Sequence, residues 1–263
     1  MLKALLAGKL DGVLARSPQA IEDLVTAVVL GTCSYCAPQD ALLPFLGRAR
    51  TERGLLLGEH LDDVVGAHLE FWPTWHDIVA PSARDDAGDV LVAGGEPDVL
   101  VELEHRDGST SLLVIEAKVL SGKSSGPSDG PVVTDQLAKY WAQLEQRAED
   151  TRALGVVYLT TSVAMPEGAF NETRRELHEK GLSEPPLYWL SWRAFIDAVD
   201  PEGDPMLRDL DRLLRRWGMT EVRMAPWPTP VAASIVWRFT IDWGWPAPPQ
   251  GPAWSITPSG KEA

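Results

Sequence analysis

Cysteine is scarce. Cys33 and Cys36 are the two in 263 residues, too few for a disulfide framework. They form a lone C-x-x-C with no second pair and no suitably spaced histidines, so they read as two reduced thiols in or beside a helix, not as a zinc or iron–sulfur site. Reduced thiols suit the cytoplasm. Long apolar runs are missing too. The opening Met-Leu-Lys-Ala-Leu-Leu-Ala starts as a signal peptide would, but Lys9, Asp11 and Arg16 interrupt it, and no later stretch reaches membrane-spanning length. The expectation is a soluble cytoplasmic protein without a membrane partner. Positive charge is also in deficit: 24 Lys and Arg stand against 38 Asp and Glu, a formal net charge of −14. This balance excludes a surface that is basic all over, so any polyanion would have to be held by a local basic groove or with the help of a partner protein.

What is present is enough for a core without staples, since 44% of the residues are hydrophobic. Residues 1–225 read as one α/β domain with a central mixed sheet flanked by helices. Residues 226–263 read as a Trp/Pro-rich appendage containing Trp227, Trp237, Trp243, Trp245 and Trp254. These tryptophans suit packing onto the main domain, a protein-partner surface, or stacking on unpaired bases, in that order of frequency. Periodicity predicts helices over 18–30, 55–71, 134–147 and 171–181, shorter helices over 195–199 and 206–217, and strands near 77–83, 155–162 and 187–192. A Gly/Ser/Pro loop spans 121–128, where Lys123 is placed to touch phosphate, while Arg212, Arg215 and Arg216 form a second candidate patch.

The most informative segment is a predicted hairpin. Val99 begins an arm that alternates apolar and polar residues, Asp107-Gly108 supplies the turn, and Leu112 to Val119 forms the second arm. Leu112 and Val114 share the face of Glu116, whereas Leu113, Ile115 and Val119 line the other, so both faces are expected to be buried. If the arms pair, Asp98 and Glu116 converge, with Lys118 two residues on and on the same face as Glu116. Burying two carboxylates and a lysine costs several kcal/mol unless partners or a cation compensate.

These positions resemble the PD-(D/E)XK nuclease superfamily: Pro97-Asp98 is followed by Glu116-Ala117-Lys118. Gly95-Glu96-Pro97-Asp98 is similar to the G-x-x-D of the RecB-like branch, and Gln136-Leu137-Ala138-Lys139-Tyr140 to its Q-x-x-x-Y element. Glu22, at the margin of the apolar stripe of the first helix, resembles the upstream glutamate of the superfamily, with His68 the alternative. The set spans roughly residues 20–145, about half of the chain.

The resemblance implies a restriction-endonuclease-like core and Mg²⁺-dependent hydrolysis of DNA phosphodiesters, with Mn²⁺ able to substitute. Asp98, Glu116, the Ala117 carbonyl and Glu22 would hold the ion. Lys118 would orient water or stabilise developing charge, Gln136 would position the lysine, water or DNA, and Tyr140 would support the helix edge or contact phosphate. By analogy the setting is bacterial phage defence, restriction or repair. Two readings from other classes stand beside it: an inactive nuclease-like binding module, and a structural subunit of a multiprotein assembly. The sequence leaves the oligomeric state open.

Overall fold

The computed structural model describes residues 18–83, 88–128, 130–148 and 151–219, and in these a five-stranded mixed sheet lies between two layers of helices. In chain order the elements are α1 (Pro18–Cys33), α2 (Leu42–Leu46), β1 (Val64–Phe71), β2 (Ile78–Ala80), β3 (Val90–Val92), β4 (Val99–His105), β5 (Thr110–Ala117), β6 (Val132–Val133), α3 (Gln136–Arg147), β7 (Arg152–Thr160), α4 (Glu167–Lys180), β8 (Leu187–Ser191), α5 (Ala194–Ala198) and α6 (Pro205–Arg216). The expected appendage at 226–263 lies outside the described residues, as do residues 1–17.

The sheet is built outward from the hairpin. β4 and β5 pair antiparallel with Val99 opposite Ile115, and Gly108, at φ 84°, takes the left-handed turn conformation that its missing Cβ permits. β1 adds antiparallel to β4, while β7 and β8 add parallel on the far side of β5, giving the order β1-β4-β5-β7-β8. Parallel neighbours need crossovers, and α3 and α4 supply them. Both faces of β5 are buried, as its sequence predicts. Leu113 and Ile115 join a core with α1, α2, α5 and α6, whereas Leu112 and Val114 join a second core with α3 and α4.

One expectation is corrected. The 55–71 segment is not a helix: after a short 3-10 turn at Leu57–His60 it becomes strand β1. Its apolar spacing fits either period, and pairing with β4 along the whole strand decides the matter. The strand expected near 77–83 is present as β2, in a second, small sheet ordered β2-β3-β6.

Candidate active site

Register places the candidate residues in one row. Asp98 directly precedes β4, so continuing the Val99–Ile115 pairing by one step sets it opposite Glu116; Glu116 in turn pairs with Tyr158 on β7, and Tyr158 with Trp189 on β8. The row lies at the carboxyl ends of β5 and β7, where loops leave the sheet. Asp98 Oδ2 accepts the Ala117 N–H at 2.7 Å, a contact that ties the two arms together at this point. Lys118 Nζ lies 2.5 Å from Glu116 Oε1, and Gln136 Nε2 donates to the same oxygen at 2.7 Å.

The other Glu116 oxygen, Oε2, is buried and has no hydrogen-bond partner. Glu116 as a whole is 1% exposed. Burial pushes its carboxyl up to about 8; Asp98 adds to the rise and Lys118 opposes it. Burial also pushes Asp98 up to about 6, against the pull of the Ala117 N–H and of Lys118. Burial alone would lower the Lys118 ammonium, but Glu116, Asp98 and Glu22 outweigh it and raise the group above its ordinary value.

Gln136 opens α3, whose first turn is capped by Asp135, the Oδ1 of which accepts from Leu137 N and Ala138 N at 3.1 Å each. The Gln136 side-chain oxygen accepts from Ser124 N at 2.9 Å, so its amide is oriented from both sides with its NH₂ toward Glu116. Tyr140 supports the helix edge: its hydroxyl donates to Glu96 O at 3.0 Å, and its ring meets Trp75 edge-on. Gly95 explains the first position of the G-x-x-D element, because a Cβ there would stand 2.9 Å from the Tyr140 ring and from Lys139 Nζ.

Glu22 reaches the site from α1 but is already engaged. Its Oε2 accepts from Val119 N at 2.8 Å, and Ser121 Oγ sits 2.9 Å from both carboxylate oxygens. Among the described residues no three His, Cys, Asp or Glu side chains form a metal-ligating group; the two carboxylates that the register sets opposite each other are Asp98 and Glu116. Glu22 instead straps α1 to the chain leaving β5. His68 sits mid-strand on β1, opposite Glu102 and away from the row. Lys123 is bound to Asp135 and Glu172, and in α6 Arg212 pairs with Asp209 and Arg215 with Asp211.

The remaining donor set fits a hard divalent cation. Mg²⁺ is held by one or two carboxylates with waters and substrate oxygens completing its shell, and an orphaned buried carboxylate oxygen opposite a second carboxylate meets that requirement.

Several residues of the site escaped sequence reasoning. Trp72 has φ 50°, donates its N–H to Asp98 O at 3.0 Å, and buries an indole N–H without a partner; the Trp-Pro step at 72–73 is the one local signal of an unusual backbone. Ser121 and Ser124 act through a loop that periodicity cannot place. At the opposite end of the hairpin, His105 bonds Asp63 at 2.8 Å and Ser111 Oγ at 2.7 Å. Ser111 is 1% exposed, and the cluster pins the loop at Asp63 to the hairpin.

Comparison with protein-family models, curated proteins and solved structures finds no match.

Proposed function

We propose that this protein is a divalent-metal-dependent nuclease with a restriction-endonuclease-like core, hydrolysing DNA phosphodiesters in bacterial defence, restriction or repair. The observation that carries the reading is Glu116 Oε2: buried and unpartnered, on a carboxylate whose other oxygen is fixed by Lys118 and Gln136 and which faces Asp98. An unsatisfied buried polar atom costs about 1–3 kcal/mol, and a ligand supplying positive charge there removes the penalty. Asp98, Glu116 and the Ala117 carbonyl are the groups that would hold Mg²⁺ or Mn²⁺. The bound ion would supply Lewis acidity toward the phosphate and toward water. Lys118 keeps its ammonium charged beside the site and offers its remaining N–H donors to negative charge developing on the phosphoryl oxygens. Gln136 fixes the Glu116 rotamer, and Tyr140 holds the helix that carries Gln136.

The test is cleavage of circular and linear DNA by purified protein with Mg²⁺, Mn²⁺ or EDTA. Cleavage of both forms that stops with EDTA supports an endonuclease, and cleavage of linear DNA alone supports an exonuclease. Binding without turnover favours the competing reading, an inactive nuclease-like module, for which the commitment of Glu22 to Val119 and Ser121 is the supporting observation.

A further inference from the structure

On a chain with net charge −14, two neighbouring cations without carboxylate partners among the described residues are informative. Arg48 and Arg50 are exposed, and neither has a carboxylate within ion-pair distance among the described residues. Together with Arg193 they line a cavity of about 670 Å³ beside β8. Arg50 is fixed there by its backbone. Its N–H donates to Trp189 O at 3.0 Å and its carbonyl accepts from Trp189 N at 2.8 Å, which extends the sheet by one step beyond β8. Its guanidinium lies 5.1 Å from the centre of the Trp189 ring, which orders the fork without neutralising it. Arg193 is held by the carbonyls of Thr161 and Gly218.

The position of this cluster relative to the carboxylates follows from register. Glu116, Tyr158, Trp189 and Arg50 are successive partners across the sheet. Three inter-strand steps of about 4.8 Å separate Arg50 from Glu116 by about 14 Å, which is about four nucleotide steps along one strand at about 3.4 Å each. The ground between carries hydroxyl groups beside apolar side chains. Lys118, Thr160, Thr161 and Ser162 line one cavity, Val163 and Ser191 line the arginine cavity, and Ser191 Oγ bonds Ser162 O at 3.1 Å, so the two adjoin along the 161–163 segment.

We propose that the arginine cavity, with Arg48 and Arg50 as its cations, is the contact surface for the phosphate backbone of a nucleic-acid strand whose scissile group lies at Asp98 and Glu116. The direction of the strand rests on the nuclease reading above; the affinity of the surface for polyphosphate does not. Planar guanidinium forks suit phosphate oxygens, and a surface of this kind reads backbone, not sequence.

The test is fluorescence anisotropy of labelled single-stranded and duplex DNA, about 20 nucleotides long, in EDTA over about 50–200 mM salt. The double variant Arg48→Gln/Arg50→Gln, with unchanged circular dichroism, should bind about tenfold more weakly at the lowest salt. Its slope of log affinity against log salt should be shallower by about 1.4 for single strands or about 1.8 for duplex. Arg212→Gln, which removes an arginine paired to Asp209, should leave both unchanged. Turnover of a short ester such as thymidine 5′-p-nitrophenyl phosphate, too small to span the distance, should be the same in wild type and double variant. Unchanged slope and affinity in the double variant would overturn the proposal, as would a wild type that binds neither DNA at the lowest salt; a surface serving an acidic protein gives the first of these results. DNA held through the arginines but never cleaved with any metal refutes the nuclease reading and leaves the surface standing. Cleavage with an unchanged salt slope refutes the surface alone.

Discussion

Asp98 and Glu116 hold their protons more tightly in the folded protein than in the unfolded chain, because burial raises them from ordinary values of 3.8 and 4.5 to about 6 and about 8. The stability this contributes is full at low pH and drains away as pH rises through about 4 to 8, while Lys118, raised above 10.5, titrates outside that window. In EDTA the wild type should therefore lose more unfolding free energy between about pH 5.5 and pH 8 than Asp98→Asn or Glu116→Gln, a difference on the order of 1–2 kcal/mol measured by denaturant titration. Equal losses in all three proteins would show that these carboxylates are not strained. Mg²⁺ should raise the wild-type melting temperature more at the higher pH, since a cation competes with the protons, and should do little for either variant. Lys118→Met removes the cation that holds Glu116 down, so whatever activity remains should peak at higher pH. Lys118→Arg should not restore turnover, because the planar guanidinium is wider than the ammonium that sits 2.5 Å from Glu116 in a closed site. A Lys118→Met variant with an unshifted pH profile would contradict this pairing.

At the scale of elements, α3 carries two glutamines that the sequence makes look alike and the structure separates. Gln136 Nε2 donates to Glu116 Oε1 at 2.7 Å, whereas Gln143 Nε2 donates to Ala93 O at 2.6 Å, next to the small sheet. Gln136→Ala should lower activity about 10–100-fold, as removal of a residue that orients a ligand does, with a modest change in melting temperature. Gln143→Ala should do the reverse, costing about 1 kcal/mol of stability by removing the donor to the half-buried Ala93 carbonyl, with little loss of turnover in a protein that stays folded. A matched loss of activity in both would reduce α3 to a scaffold. The α3 helix was legible because its apolar stripe and the Asp135 cap are local properties. β1 was not, because the apolar positions Leu57, Leu61 and Val64 fit a helical period, and pairing with β4, about 35 residues downstream, decides for strand. The hairpin was legible for the opposite reason: its alternation, its Asp-Gly turn and its pairing all lie within one short stretch. Of the site, Asp98, Glu116, Lys118, Gln136 and Tyr140 converge on one region as their motif spacing suggests. The engagement of Glu22 depends on the Val119 backbone N–H and on a hydroxyl of the loop at Ser121, about 100 residues downstream, and no local pattern reports either.

For the whole molecule the governing quantity is charge. A chain at −14 repels DNA at long range, and the candidate site adds two facing carboxylates. Cleavage on this account needs a cation to reverse the local field, so metal binding and catalysis must fail together. The most direct measurement is a Mn²⁺ titration followed by electron paramagnetic resonance on wild type, Asp98→Ala and Glu116→Ala, with DNA cleavage assayed on the same samples. The account predicts that wild type binds Mn²⁺ and cleaves, and that each variant stays folded, loses the bound ion and loses cleavage. Variants that bind Mn²⁺ as wild type does, or that cleave without it, would contradict the assignment of Asp98 and Glu116 as the metal-holding pair.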